Sequence, residues 1–311
     1  MTVSGPLRVA GFLAVLGGVF AAALGVGYAV GPVSEPISDD MAGHAAAEDD
    51  HAAAGHAPAV DEEIPGGLMV AQGGYRFNLL TPLAEPGRGV PILFRIDGPD
   101  GRPVAAYDVE HGKRLHLIAV RRDFSGFQHV HPRLGNDRTW RAELDLTPGE
   151  WRLFADFNPT GGVGMVLGAD LTLRGPYHPA GAPVPSRTVR VDGYAVSLAG
   201  ELTAGTDSTL TLTVSRNGRP VTDLQPYLQA YGHLVALREG DLAYLHVHPE
   251  GAPGDGTTQP GPDIVFDAAV PSVGKYRLFL DFKHGDVVRT AEFALTAGAG
   301  RGGEGSHEHA H

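Results

Sequence analysis

Hydrophobic and polar positions alternate along this chain in short runs, and the runs fall into two sets. The first lies near 75–80, 90–96, 115–121, 127–131, 139–144, 151–157 and 168–173. The second lies near 188–198, 208–215, 233–238, 243–248, 263–268, 275–282 and 287–296. Gly, Pro, Asn and Asp punctuate the gaps, each supplying a backbone geometry that turns need. A period of two puts Trp151, Leu153, Ala155 and Phe157 on one strand face, and Tyr276, Leu278, Leu280 and Phe282 on the same face of a later strand. No long amphipathic helix pattern occurs in this region. Seven short strands in about 105 residues predict an immunoglobulin-like β-sandwich, and two such sets predict an all-β body of two tandem sandwiches.

The two sets are one module written twice. Asp100-Gly-Arg-Pro-Val104 answers Asn217-Gly-Arg-Pro-Val221, and Gly149-Glu-Trp-Arg-Leu-Phe-Ala-Asp-Phe157 answers Gly274-Lys-Tyr-Arg-Leu-Phe-Leu-Asp-Phe282. The sequence places the repeats at 67–176 and 187–297. A Pro-rich stretch at 177–186 reads as a stiff, extended linker between them. One larger barrel is the weaker alternative, because each copy carries its own full strand set.

The chain ahead of the repeats has a different character. Val9 to Gly31 is a run of 23 residues without charge, as a helix long enough to cross a bilayer core. Arg8 precedes it, so the positive-inside tendency puts residues 1–8 in the cytoplasm and the bulk of the chain outside. The rival reading is a secretory signal cleaved after Gly27-Tyr28-Ala29, which leaves the body extracytoplasmic as well. Residues 32–66 read as a disordered acidic tether: nine acids lie between Glu35 and Glu63, with no Lys or Arg between Arg8 and Arg76. His44, His51 and His56 lie in the tether, and a Gly/His-rich tail at 298–311 ends in His307, His309 and His311.

Composition removes several functions. With no cysteine among 311 residues there are no disulfides, no thiolate metal sites and no thiol catalysis. A net charge of −12 argues against nucleic acid as a partner. No phosphate-binding loop, nucleophile elbow, dinucleotide fingerprint or His-Glu-x-x-His motif is present, so the expectation is a protein that is not an enzyme.

The chemistry the repeats do share is histidine. His116 precedes His129-Val-His131-Pro132 by the same interval at which His233 precedes His246-Val-His248-Pro249. Residues i and i+2 of a strand share a face, so His129 projects with His131, and His246 with His248. If the intervening stretch is a hairpin turn, one register sets Ile118 opposite His131 and leaves His116 diagonal to it on the same face. Two imidazoles on one strand and a third from its neighbour suit Cu(II) or Zn(II), and the lack of thiol and of more than four Met disfavours Cu(I). His116, His129, His131, His233, His246 and His248 are therefore the predicted metal ligands, one triplet per repeat. Asp156, Asp281, His111 and His284 stand as further candidates. The plain alternative is histidines that pack and hydrogen-bond without a metal.

The His-Val-His-Pro elements and the lead-in Pro226-Tyr-Leu-Gln-Ala-Tyr-Gly-His233 resemble those of uncharacterised membrane-anchored or secreted proteins of high-GC bacteria regarded as heavy-metal-binding. Each repeat is more loosely similar to YtkA-like and copper-resistance immunoglobulin-like domains, though the Met-rich copper motifs of some of these are missing here. That resemblance implies a sandwich fold and copper handling. The expected function is a membrane-anchored extracytoplasmic binding protein that sequesters or delivers a divalent transition ion. The alternative is a two-domain interaction or structural module, and less favoured is a copper redox enzyme of the superoxide dismutase kind. The sequence names no protein partner.

Overall fold

The computed structural model describes residues 64–181, 183–245 and 247–300. The predicted residues 1–8, the anchor at 9–31, the tether up to 63, His246 and the tail from 301 lie outside the described residues. Every regular element among the described residues is a strand, and no helix there is long and apolar enough to cross a membrane.

The first lobe is built from β1 (Tyr75–Leu79), β2 (Gly87–Asp97), β3 (Leu115–Arg121), β4 (Gln128–Val130), β5 (Trp140–Leu146), β6 (Gly149–Phe157) and β7 (Met165–Leu173). One sheet runs β1-β2-β5, with Ala71–Gln72 and Arg133–Leu134 at its edges. The other runs β7-β6-β3-β4, with Leu83–Ala84 beside β7. The second lobe comprises β8 (Thr188–Val191), β9 (Tyr194–Ala199), β10 (Asp207–Arg216), β11 (Gly232–Arg238), β12 (Tyr244–Leu245), β13 (Val247–Pro249), β14 (Asp263–Ala269), β15 (Gly274–His284) and β16 (Val287–Ala299). Its sheets run β8-β9-β10-β14-β13 and β16-β15-β11-β12. The chain is thus all-β, two tandem sandwiches. Alternation fills each core: Trp151, Leu153, Ala155 and Phe157 are buried in the first, and Tyr276, Leu278, Leu280 and Phe282 in the second.

A third apolar cluster joins the lobes. Leu115, Leu117 and Ala119 of β3 face their own core, whereas Ile118 and Val120 belong to a cluster with Val235, Leu237, Phe154, Phe279 and Tyr244. Both faces of β3 and β11 are therefore buried. Phe127 stacks on Phe279 with ring centres 4.0 Å apart and planes within 4°, and Tyr244 lies 5.7 Å from Phe154. Phe127 and Tyr244 are repeat counterparts, as are Phe154 and Phe279, so the lobes meet through an approximate twofold exchange of contacts. Fully burying such side chains stabilises by about 1.5–3 kcal/mol each, which makes the seam a structural joint.

The chain enters at this seam. Gly66 pairs with Tyr244, and the Arg152 guanidinium donates to the carbonyls of Gly67 and Leu68 at 2.6 and 2.9 Å. Gly67 is left-handed at φ 74°, and a Cβ there would run into the Phe154 ring.

Two strands differ from their sequence reading. The run near 188–198 is split into β8 and β9 by a turn at Asp192-Gly193, both with positive φ. The run near 243–248 is split between sheets: β12 pairs with β11, while β13 pairs with β14.

Candidate metal centre

The β3–β4 hairpin sets Ile118 opposite His129 and Leu117 opposite Val130. This corrects the expected pairing of Ile118 with His131 by two residues. The turn is tighter than assumed because Phe124 adopts φ 64° and donates its N–H to the Arg121 carbonyl, while the Asp123 carboxylate accepts from Ser125. A shift of two conserves the face. His116, His129 and His131 therefore still converge, with one ligand atom from each lying within 4.8 Å of the others.

Hydrogen bonds fix where the protons sit. His116 Nε2 is 3.2 Å from the Glu110 carbonyl, which can only accept, so Nε2 carries the hydrogen and Nδ1 presents a lone pair. His129 Nδ1 is 3.0 Å from Asp281 Oδ2, again an acceptor, so His129 Nε2 presents a lone pair as well. These two inward nitrogens face each other at 3.0 Å. Two lone pairs at that separation need an electrophile between them, a proton or a metal ion. The third inward group is His131, whose Nε2 is buried without a hydrogen-bond partner.

The surroundings disfavour a proton on three of these imidazoles. Burial, then the neighbouring His129, pushes His116 down to about 4. Burial likewise pushes His131 down to about 3, and holds His233 well below its ordinary range. Among the described residues, the buried carboxyl group at the cluster is Asp281, 3% exposed, whose second oxygen accepts from Thr290 Oγ1 at 2.6 Å. Its charge also contributes, after burial, to raising Tyr227 to about 12. Burial thus favours the neutral form of His116, His131 and His233 beside the buried Asp281 carboxyl group.

A family profile described as a domain of unknown function, DUF8832, matches residues 70–170 and again 188–299, once per lobe. The chain belongs to the DUF8832 family. No curated protein matches it. Solved structures to which it is similar include the Escherichia coli adhesin FdeC, at 15% identity over 74% of this chain and 65% of that one, with a TM-score of 0.25. They also include the Yersinia pseudotuberculosis adhesin InvE, at 10% identity over 72% and 58%, with a TM-score of 0.22. The chain thus spans less than two thirds of the length of each. TM-scores at this level carry no weight for function, and the sandwich architecture rests on the strand pairing of the DUF8832 repeats themselves.

Among the described residues, the first DUF8832 repeat alone brings three histidine ligand atoms together. His233, from the second repeat, stacks on His116 with ring centres 5.6 Å apart and planes within 5°, and lies 4.7 Å from His129. It belongs to the seam cluster rather than to a site confined to its own lobe. His246 lies outside the described residues. His248 sits on β13, opposite Asp267 in the other sheet, and is exposed. Val247–Pro249 already pairs with the opposite sheet, whereas its first-repeat counterpart reaches that sheet only at Arg133–Leu134, which sets His248 apart from His131.

Of the further candidates, Asp281 supports His129 from across the seam, a partnership between repeats that spacing within one repeat does not encode. His111 occupies a turn at φ 48°, its ring 6.2 Å from His116 and 5.8 Å from His233. Asp156 accepts from Tyr244 at 3.3 Å, also across the seam. His284 is engaged elsewhere, with Nδ1 2.7 Å from the Tyr194 hydroxyl and Nε2 3.0 Å from Asp223.

Proposed function

We propose that this pair of fused sandwiches is a binding module for a divalent transition ion, Cu(II) or Zn(II), held at the seam between the lobes. His116, His129 and His131 are the ligands, and Asp281 orients His129 from the other lobe. The observation that carries the reading is the pair of lone-pair nitrogens, His116 Nδ1 and His129 Nε2, facing each other at 3.0 Å with both outer nitrogens engaged. An ion bound here would be held by neutral imidazole nitrogens, donors that suit Cu(II) or Zn(II). The carboxylate behind His129 is the usual outer partner of a metal-bound imidazole. The uncharged run Val9–Gly31 supports a place outside the cytoplasmic membrane, where sequestration or delivery would be the role, and no step of turnover is assigned.

The second reading is an interaction or structural module whose histidines only pack the joint. The closeness of the Phe127–Phe279 stack favours it, since that contact needs no ion. The full chain with His44, His51, His56, His307, His309 and His311 replaced by Ala separates the two, because the loose tether and tail sites are then silent. Titration with Cu(II) and with Zn(II) is expected to show tight binding that His129→Ala with His131→Ala abolishes. No binding by the chain with both seam histidines present leaves the second reading.

A further inference from the structure

A cavity of about 570 Å³ in the first lobe is lined by Lys113, Arg114 and Arg133 together with His131 and Trp140. Among the described residues that line it there are three fixed cations and no carboxylate. In a chain whose net charge is −12, that sign is out of keeping with the whole. The fold holds each cation there. Lys113 closes a tight turn, in which it exchanges backbone hydrogen bonds of 2.9 Å with Glu110 around the left-handed His111 and Gly112. The Glu110 carboxylate is engaged by Asn158, whose Nδ2 donates to it at 3.1 Å. The charge of Lys113 also reaches His131, which it lowers after burial and the neighbouring His129 and His116. Arg114 lies over the Trp140 ring, 5.9 Å from its centre. Trp140 is itself fixed, buried and donating from Nε1 to the Tyr107 hydroxyl at 3.1 Å. A guanidinium stacked in this way keeps the N–H groups in its own plane for another partner.

Arg133 stands directly opposite Arg141 in the edge pair with β5. Like charges so placed destabilise a sheet. Arg141 is relieved by Asp137, which accepts from both of its terminal nitrogens, at 2.6 and 3.0 Å. Arg133 has no such relief. Among the described residues, no carboxylate forms an ion pair with Lys113, Arg114 or Arg133. We propose that this cavity is an oxyanion site, which takes a phosphate or carboxylate group between Lys113, Arg114 and Arg133. Guanidinium forks match the paired oxygens of either group, and the ammonium adds a point charge. The site stands whether or not an ion occupies the histidine cluster, although His131 gives the two a common wall. The oxyanion has two possible sources: a free anion, or the carboxylates of this chain between Glu35 and Glu63.

The test is calorimetric titration of the metal-free full chain with inorganic phosphate at low ionic strength. One bound phosphate is expected, with affinity that falls as salt is added. Lys113→Gln and Arg133→Gln should each weaken it by about 10-fold or more, as befits the loss of one charge-assisted contact. Both side chains are exposed, so the fold is expected to survive, and an unchanged melting temperature verifies this. Lys275→Gln, at an exposed cation of the second lobe, should change nothing. A second chain, with the nine acids between Glu35 and Glu63 replaced by their amides, separates the sources. Tighter phosphate binding by that chain identifies its own carboxylates as the competing occupant, and equal binding identifies a free oxyanion. No phosphate bound by either chain overturns the site, as does binding that ignores Lys113 and Arg133 or responds equally to Lys275. The metal-binding reading is untouched by either result.

Discussion

Asp281 governs the cluster from the opposite lobe, because it dictates which nitrogen of His129 carries the hydrogen. Asp281→Asn keeps an acceptor for His129 and a partner for Thr290 but removes the negative charge, so metal affinity is expected to fall by about 10–100-fold with little loss of fold. Isothermal titration of the two chains side by side measures this. The histidines also set the pH response of the metal-free protein. His116, His131 and His233 bind protons less readily folded than unfolded, so stability is full above their ordinary value of 6.5. It is expected to fall as pH drops from there through about 4, where the unfolded chain takes up protons that the fold refuses. Urea midpoints across that range check the sign, and a midpoint that rose on acidification would mean a cluster already protonated in the fold. At this scale much was legible. The spacing of His116, His129 and His131 pointed to three converging imidazoles without coordinates. The role of His233 was not, because nothing in a linear repeat says that two copies will lay their equivalent strands against each other.

At the scale of the element, the seam follows from strands with no polar face. Leu117-Ile-Ala-Val120 and Leu234-Val-Ala-Leu237 are uninterrupted apolar runs, the mark of a strand covered on both sides. That signal was present in the sequence but reads equally as a central strand of any buried sheet, and only the twofold contacts identify the cover. Phe279→Ala is expected to cost about 3–5 kcal/mol, since the side chain is fully buried against Phe127 and leaves a cavity at the joint. Chemical denaturation reads the loss directly. The hairpin register and the early crossover of β13 escaped sequence reasoning for a shared reason: both are set by a few turn residues, such as Phe124 at φ 64°, rather than by alternation.

For the molecule as a whole, the seam predicts that the lobes lose structure together. Two sandwiches on a loose linker would melt in separate steps, whereas lobes that share an apolar cluster and cross-lobe hydrogen bonds should give one calorimetric transition. Two resolved transitions would show that the joint contributes little. The all-β class and most strand positions were readable from alternation and turn residues, since each lobe closes its own core. The joint was not, because it depends on how finished lobes meet.

The first described residues are pinned neither to one lobe's flank nor to a free end. Gly66 and Gly67 are threaded into the crease itself, gripped by Arg152 from one half and by Tyr244 from the other. Tension on the leader would thus arrive at the hinge line, and a tug from upstream would pry at the very place where the imidazoles gather.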